Sequence, residues 1–332
     1  MEHLPLIHRP TADPSRPDGM GQMLAALAQR RFFKLIGGGS LTEAPKIAWL
    51  AGIFSKAGAH CIDIAPDPAV LSAVVSELES LPGVPPVLMV SLPLDPDPHF
   101  RKIELNEPGC IRCGACLPVC PTEALTLPEA LEISQSLCYG CGRCVPTCPT
   151  DALSLLPFQV DAQIETVLSH PQVQAVEIHS RYVDPFMLET FFERWGTLLQ
   201  DKLISLCFRV DGLPAGQILA FYDIASKNSS LPVILQVDGA PMSGSEDPDA
   251  SRPALEAAVK VATLFSDSGT PLPPLTISGG INVTTSEFLK NECYAFISGV
   301  GMGTVARKTI WTLPDELAEQ TAARLVSLFM RS

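Results

Sequence analysis

Eight of the eleven cysteines lie in two copies of one short pattern. In each copy, two residues separate each of the first three cysteines, and three residues separate the third from a fourth that a proline follows. Every cysteine of the second copy lies 28 residues after its counterpart, so the second half of the segment repeats the first. The first copy contains Cys110, Cys113, Cys116 and Cys120, and the second contains Cys138, Cys141, Cys144 and Cys148.

This spacing is typical of segments that hold two [4Fe–4S] clusters. Three thiolates two residues apart can wrap one cubane, whereas the fourth is directed away from it and binds the other cluster. The sequence therefore predicts that each copy contributes to both clusters. The predicted ligands are Cys110, Cys113, Cys116 and Cys148 for one cluster, and Cys138, Cys141, Cys144 and Cys120 for the other.

Structural zinc and a disulfide framework are the alternative uses of such cysteines. Zinc needs only four ligands per site and gives no reason to repeat a run of four cysteines with a proline after each. The cluster interpretation also requires thiolates, which predicts a reducing, cytoplasmic location.

Composition limits the remaining classes of protein. The chain has 332 residues and a net charge of −13, which argues against a nucleic-acid or anionic-membrane partner. No apolar run reaches the roughly 18 residues that a transmembrane helix needs. Residues 1–20 are rich in proline and are predicted to form a mobile tail.

Outside the cysteine segment, apolar strand-like runs alternate with segments of helical periodicity, which predicts βα units around a parallel sheet. Eight units favour a TIM-type barrel with a bacterial-type two-cluster ferredoxin insert after the third strand, and an open doubly wound sheet is the alternative. The predicted divisions are barrel at 21–100, insert at 101–157 and barrel again at 158–332. Predicted strands are 32–36, 61–64, 87–90, 173–178, 203–210, 233–237, 275–277 and 295–298; predicted helices are 43–56, 187–200, 216–227, 253–265 and 315–330.

Polar residues alternate with apolar ones at the ends of three predicted strands. Because a strand has a period of two, they should point inward at the mouth where TIM barrels bind ligands. Candidate catalytic roles are an anion clamp for Arg209 and a proton donor for His179 or Glu177. The alternative is a polar plug in which Glu177 or Asp211 neutralises Arg209. The six residues are Glu177, His179, Arg209, Asp211, Gln236 and Asp238, and Lys34 and Asp63 could join them.

Glycines follow the last two predicted strands, where many barrels bind phosphate. These two loops resemble those of flavin-binding barrels of the dihydroorotate dehydrogenase kind. They predict a phosphate or flavin site, and tight turns alone are the alternative. The glycines are Gly279, Gly280, Gly299, Gly301 and Gly303, and a loop over residues 238–244 could close over the ligand.

Other cysteines and histidines have no ligand spacing. Cys61, Cys207 and Cys293 are predicted to be small buried hydrophobic residues, and His99 is expected to be an ordinary polar residue.

The double cysteine run resembles that of the light-dependent period family of cyanobacterial iron–sulfur proteins, and so do three flanking segments. These are FKLIGGGS at 33–40, QVDG with PMSG at 236–244, and ISGG at 277–280. The resemblance implies a redox sensor that passes cellular redox or light state to the circadian clock and contacts clock proteins. Its electrons would come from a redox partner protein or a quinone. Two other functions remain open: an oxidoreductase that reduces a flavin or a small phosphorylated substrate in the barrel mouth, and simple electron carriage.

Overall fold

The computed structural model describes residues 18–158, 160–211, 213–239 and 247–330. Eight parallel strands close into a barrel, which confirms the predicted TIM-type fold and excludes the open sheet. The barrel strands are β1 Phe32–Ile36, β2 Cys61–Ile64, β3 Val87–Pro93, β8 Val173–Ser180, β9 Leu203–Phe208, β10 Ile234–Asp238, β11 Leu275–Ser278 and β12 Ile297–Met302. The shorter strands β4 Arg101–Leu105, β5 Leu125–Thr126, β6 Glu132–Ile133 and β7 Leu153–Pro157 belong to the insert.

The barrel strands are almost wholly buried, because the helices cover their outer faces and side chains fill the interior. The largest shift from a predicted strand is in β12, which begins at Ile297 and extends to Met302 instead of covering 295–298. A short 3₁₀ turn, Glu292–Tyr294, occupies the preceding residues and is capped by the Asn291 side chain. Ala295 therefore ends a turn and does not begin a strand.

Helices connect the strands and surround the barrel. Five of them match the predicted segments to within three residues at either end, and the other five, which begin at residues 19, 68, 161, 283 and 304, were not predicted. The helices are α1 Gly19–Ala28, α2 Ala44–Lys56, α3 Pro68–Ser80, α4 Asp161–Leu168, α5 Pro185–Leu199, α6 Ala215–Lys227, α7 Arg252–Ser268, α8 Val283–Phe288, α9 Thr304–Ile310 and α10 Asp315–Ser327. No helix in the described ranges is both long and apolar enough to cross a membrane.

Helix α1 closes the amino-terminal end of the barrel. Its Met23 and Leu27 pack against Phe32, Cys61 and other residues of the barrel strands in one buried cluster. The helix begins inside the segment predicted as a tail. Residues 19 and 20 are therefore helical and buried, because burial against the barrel outweighs the proline-rich character of the preceding chain. Residues 1–17 lie outside the described residues.

The insert joins β3 to α4, so it lies over the carboxyl-terminal mouth of the barrel. Strands β4 and β7 form an antiparallel pair at its base, and β5 pairs with β6. The Phe158 amide donates to the Phe100 carbonyl at 2.8 Å, which brings the two ends of the insert together. The functional segments of the insert and of the barrel are therefore neighbours in space.

Candidate functional site

The eight cysteines of the insert surround two small cavities of similar size. Each cavity is lined by three cysteines of one copy and by the fourth cysteine of the other. This is the grouping that the sequence predicts, and ligation of iron by these side chains stays a prediction. The first cavity has Cys110, Cys113, Cys116 and Cys148, and the second has Cys120, Cys138, Cys141 and Cys144.

The duplication extends to the backbone around the cysteines. Residues 28 positions apart take up the same left-handed conformation at three places in each copy. Position 140 requires glycine, because a Cβ there would lie 2.1 Å from the Arg101 carbonyl oxygen. Its counterpart Arg112 is exposed, so a side chain fits there. The matched φ angles are +56° at Arg112 and +67° at Gly140, +72° at Gly114 and +74° at Gly142, and +55° at Glu123 and +52° at Asp151.

A backbone amide of its own half donates to the sulfur of each fourth cysteine. The Ala124 amide donates to Cys120 Sγ at 3.3 Å, and the Ala152 amide donates to Cys148 Sγ at 3.2 Å. Amide donors to sulfur favour the thiolate and are among the features that set the potentials of iron–sulfur clusters. Two threonine hydroxyls tie the halves together at 2.8 Å each: Thr122 donates to the Leu137 carbonyl, and Thr150 donates to the Gly109 carbonyl.

The chemistry of the cysteines fits a metal cluster. Burial raises the pKa of Cys144 to about 12, so a thiolate at this position needs a strong positive partner. Hydrogen bonds from Thr150, and a weaker one from Ala152, lower the pKa of Cys148. Four sulfur donors around each cavity match the donor set of a [4Fe–4S] cluster.

Among the described residues, the second group of cysteines packs against the barrel core and the first group does not. Tyr139, between Cys138 and Gly140, is 4% exposed and joins the barrel core, whereas its counterpart Ile111 is 63% exposed. The neighbouring backbone is fixed by the Thr42 amide, which donates to the Ser136 carbonyl at 3.0 Å. The two halves are alike in backbone but differ in environment.

Below Tyr139 lies a small cavity of about 70 Å³. Each of the eight barrel strands contributes to its wall. The wall also includes Arg307, whose guanidinium stacks on the Tyr139 ring at 4.9 Å. The strand residues include Ile36, Asp63, Ser91, His179, Cys207, Gln236, Ser278 and Gly301.

A buried ion pair between Lys34 and Glu177 lies beside the wall residues Gln236 and His179. Burial disfavours the charge of each, but their attraction outweighs it, so the pKa of Lys34 is raised and that of Glu177 is lowered to about 2. Glu177 also accepts from Ser205 Oγ and Gln236 Nε2 at 2.9 Å each, and lies 3.1 Å from His179 Nε2. The carboxylate is thus held charged by four neighbours.

Two further titratable side chains at the mouth, Asp63 and His99, differ in charge. Burial raises the pKa of Asp63 to about 6, although its Oδ1 accepts from Ser91 Oγ at 2.7 Å. Burial also opposes the charge of His99, but Asp97, 2.7 Å from its Nδ1, raises its pKa to about 9. The mouth therefore combines a carboxyl group that titrates close to neutral pH with a positively charged imidazole.

Four of the six predicted polar residues lie at the mouth: Glu177 and His179 from β8, and Gln236 and Asp238 from β10. The expectation that the other two point inward is wrong. Strand β9 ends at Phe208, so the alternation no longer applies, and Arg209 and Asp211 pair with each other at the surface, 39% and 68% exposed. Arg209 does not line the cavity.

Among the five candidate glycines, Gly279, Gly280, Gly301 and Gly303 line the cavity. Gly299 does not, because it lies within β12, where a Cβ would come 2.2 Å from the Phe32 carbonyl oxygen. Glycine at position 299 therefore allows β12 to pack closely against β1. Residues 240–244 of the candidate closing loop lie outside the described residues.

Sequence reasoning missed several residues of the mouth. His99 was expected to be an ordinary polar residue, yet its ring contacts that of His179 at 5.1 Å. Cys61 and Cys207 are buried as predicted, but Cys207 also lines the cavity, and Cys293 is exposed. Tyr139 and Arg307 had no detectable signal, because only the docking of the insert brings them to the mouth.

Comparisons with known proteins agree with these features. A family model for 4Fe-4S dicluster domains matches residues 109–170, and one for the light dependent period A C-terminal domain matches residues 167–328. Light dependent period A of Synechococcus elongatus is 33% identical over 336 residues, which cover 90% of this chain and 86% of that protein.

The chain belongs to the light dependent period A family. Its insert is a 4Fe-4S dicluster domain, as the cysteine pattern predicted. Among solved structures, this member of the family is similar to a geranylgeranylglyceryl phosphate synthase from Thermoplasma acidophilum, with 10% identity, a TM-score of 0.47 and coverage of 94% and 98% of the two chains. It is also similar to tryptophan synthase from M. tuberculosis, with 10% identity, a TM-score of 0.47 and coverage of 95% and 100%.

Proposed function

We propose that this protein is a cytoplasmic iron–sulfur redox sensor that passes light-dependent redox state to the circadian clock. Membership of the light dependent period A family and the dicluster domain support an iron–sulfur protein in a light-dependent process. The proposed cluster ligands are the eight cysteines of the insert, shared crosswise between the two cavities. When bound, the clusters would supply one-electron chemistry at these two positions.

One observation carries the sensing proposal: the two halves of the insert meet different surroundings. The cavity near Ile111 faces solvent, and it suits electron exchange with a redox protein or a quinone. The cavity near Tyr139 lies against the barrel. A change in charge at the second group of cysteines would therefore act on the barrel, while the first group stays accessible to a donor.

The contacts below Tyr139 give the change a path. The Arg307 guanidinium stacks on the ring of Tyr139, and Arg307 Nη1 donates to the carbonyls of Ile36 and Gly37 at 2.6 and 3.0 Å. A more negative insert would attract Arg307 and loosen its hold on the loop after β1. This loop and the start of α9 are the proposed elements that a circadian clock protein would detect.

Hydrogen exchange of the full holoprotein, compared between oxidised and reduced clusters, tests this function. We expect changed exchange at residues 36–39 and 303–307 of the barrel besides changes in the insert. The Tyr139→Leu variant should lose the barrel response and keep the response of the insert. A response confined to the insert in the wild-type protein would indicate simple electron carriage instead.

An oxidoreductase is the second candidate function, because titratable side chains surround the cavity below Tyr139. His179 and Asp63, both of which could move a proton, face this cavity, with Asp63 titrating near pH 6. The substrate would be a flavin or a small phosphorylated compound. A flavin spectrum in purified protein would favour this candidate, and an absorption spectrum of iron–sulfur clusters alone would favour the sensor.

A further inference from the structure

The wall of the barrel mouth contains four buried oxygen atoms that have no hydrogen-bond partner among the described residues. One is the Tyr139 hydroxyl, and the other three are acceptors: Asp63 Oδ2, Gln236 Oε1 and Asp238 Oδ2, on side chains that are 1%, 1% and 6% exposed. All four residues line the same cavity. Because buried polar atoms in folded proteins nearly always have a partner, these three atoms point to a bound group.

The orientation of Gln236 is fixed by chemistry. Its Nε2 donates to Glu177 Oε1 at 2.9 Å, and a carboxylate can only accept, so the amide oxygen must face the other way. A Cβ at Gly301 would lie 3.1 Å from this oxygen. The missing side chain at Gly301 therefore leaves space beside Gln236 Oε1.

Several donors of the wall are already used by the protein itself. Ser91 Oγ donates to Asp63 Oδ1 at 2.7 Å, and Ser278 Oγ donates to Asp238 Oδ1 at 3.2 Å. Arg307 Nη1 donates to backbone carbonyls of the loop after β1. The wall thus presents three acceptors without partners while these donors are engaged, so a group that binds to them must itself donate. The Tyr139 hydroxyl can both donate and accept.

Two kinds of ligand fit this wall poorly. An anion would approach the carboxylates of Asp63 and Asp238, while the Arg307 guanidinium is engaged with backbone carbonyls. The charged His99 ring is already paired with Asp97 at 2.7 Å and lies 3.9 Å from Asp238 Oδ2. A single metal ion would need ligand atoms that converge on one point. Among the described His, Cys, Asp and Glu residues, two sets of three converge in this way, and neither contains Asp63 or Asp238. The sets are Asp97, His99 and His179, and Glu177, His179 and Cys207.

We propose that the barrel mouth binds a small organic molecule that carries several hydroxyl or amino hydrogen-bond donors and no phosphate or carboxylate group. Its donors reach the three oxygens of Asp63, Gln236 and Asp238, and its body occupies the cavity below Tyr139. The site is separate from the proposed redox sensing, because these oxygens belong to barrel strands and are present whatever the state of the clusters. It stands against the phosphorylated substrate of the oxidoreductase candidate, which the carboxylates of the wall disfavour.

The test uses the full-length holoprotein with its clusters oxidised, so that no redox response is needed. The protein is equilibrated with a defined mixture of sugars, polyols, amino alcohols and nucleosides, each supplied also as its phosphate ester, and retained compounds are identified by mass spectrometry after gel filtration. We expect retention of an unphosphorylated compound. Gly301→Ala and Asp238→Asn should each weaken its binding about tenfold or more.

Two variants serve as matched controls. Gly216→Ala adds a methyl group where nothing lies within 4 Å, and Asp267→Asn removes the same charge at an exposed position. Both should retain the compound as the wild-type protein does. Retention of phosphate esters only, retention of nothing, or wild-type affinity in both Gly301→Ala and Asp238→Asn would overturn the proposal. If Asp238→Asn does not fold by circular dichroism, Gly301→Ala decides alone, since its contacts are with flexible side chains of Ile36, Gln236 and Lys34.

Discussion

Removing one partner of the Lys34–Glu177 pair should destabilise the barrel strongly. The two side chains are 1% and 0% exposed, so Lys34→Met leaves a carboxylate buried without its main counter-charge. Breaking a buried pair in this way typically costs about 3–5 kcal/mol, a large part of the roughly 5–15 kcal/mol by which a protein is stable. With a urea m-value of about 3 kcal/mol/M, the unfolding midpoint should fall by about 1–1.7 M.

The chain offers an exposed pair as a matched control. Lys56 and Glu319 lie 2.6 Å apart, but their side chains are 46% and 40% exposed. Because solvent screens such a pair, Lys56→Met should cost less than about 1 kcal/mol. Equal losses for Lys34→Met and Lys56→Met, measured by anaerobic urea unfolding followed by circular dichroism, would refute the electrostatic reasoning.

A double variant separates the charge from the packing. Lys34→Met combined with Glu177→Gln removes both charges, so its cost should be smaller than the sum of the two single costs. The remaining loss measures the packing and hydrogen bonds of the two side chains. Strict additivity would mean that the two charges do not interact in the folded protein.

Three further predictions concern the insert and the mouth. Cys120→Ser should remove the second cluster, as Cys141→Ser does, and lower the bound iron from about eight to about four per chain; loss of only the first cluster's paramagnetic signal would contradict the crosswise grouping. Gly140→Ala should lower the thermal midpoint of the holoprotein well below that of Gly58→Ala, because its Cβ would lie 2.1 Å from the Arg101 carbonyl oxygen and nothing lies within 4 Å of Gly58. Asp63 titrates near pH 6 when folded and near 3.8 when unfolded, so the wild-type protein should gain up to about 3 kcal/mol relative to Asp63→Asn as the pH falls between these values; parallel pH profiles of urea unfolding would argue against it.

The barrel could be predicted from sequence because its signal is local. Each strand is a short apolar run, and β1 and β2 begin and end at the predicted residues. Helix α1 was missed because its apolar side chains are explained only by the barrel end that they cover. The predicted inward orientation of Arg209 was wrong for a related reason. Alternation predicts the face of a side chain only while the strand continues, and β9 ends at Phe208, one residue before Arg209.

The cysteine spacing by itself predicted the dicluster domain and the crosswise grouping of its cysteines around two cavities. A few residues of backbone set the distances between sulfur atoms, so this information is contained in a short stretch of sequence. Only the tertiary structure decided that Tyr139 is buried and Ile111 exposed, since equivalent positions in the two repeats have different neighbours. The mouth cavity likewise exists only after closure of the barrel, because its wall takes residues from all eight strands and from the insert.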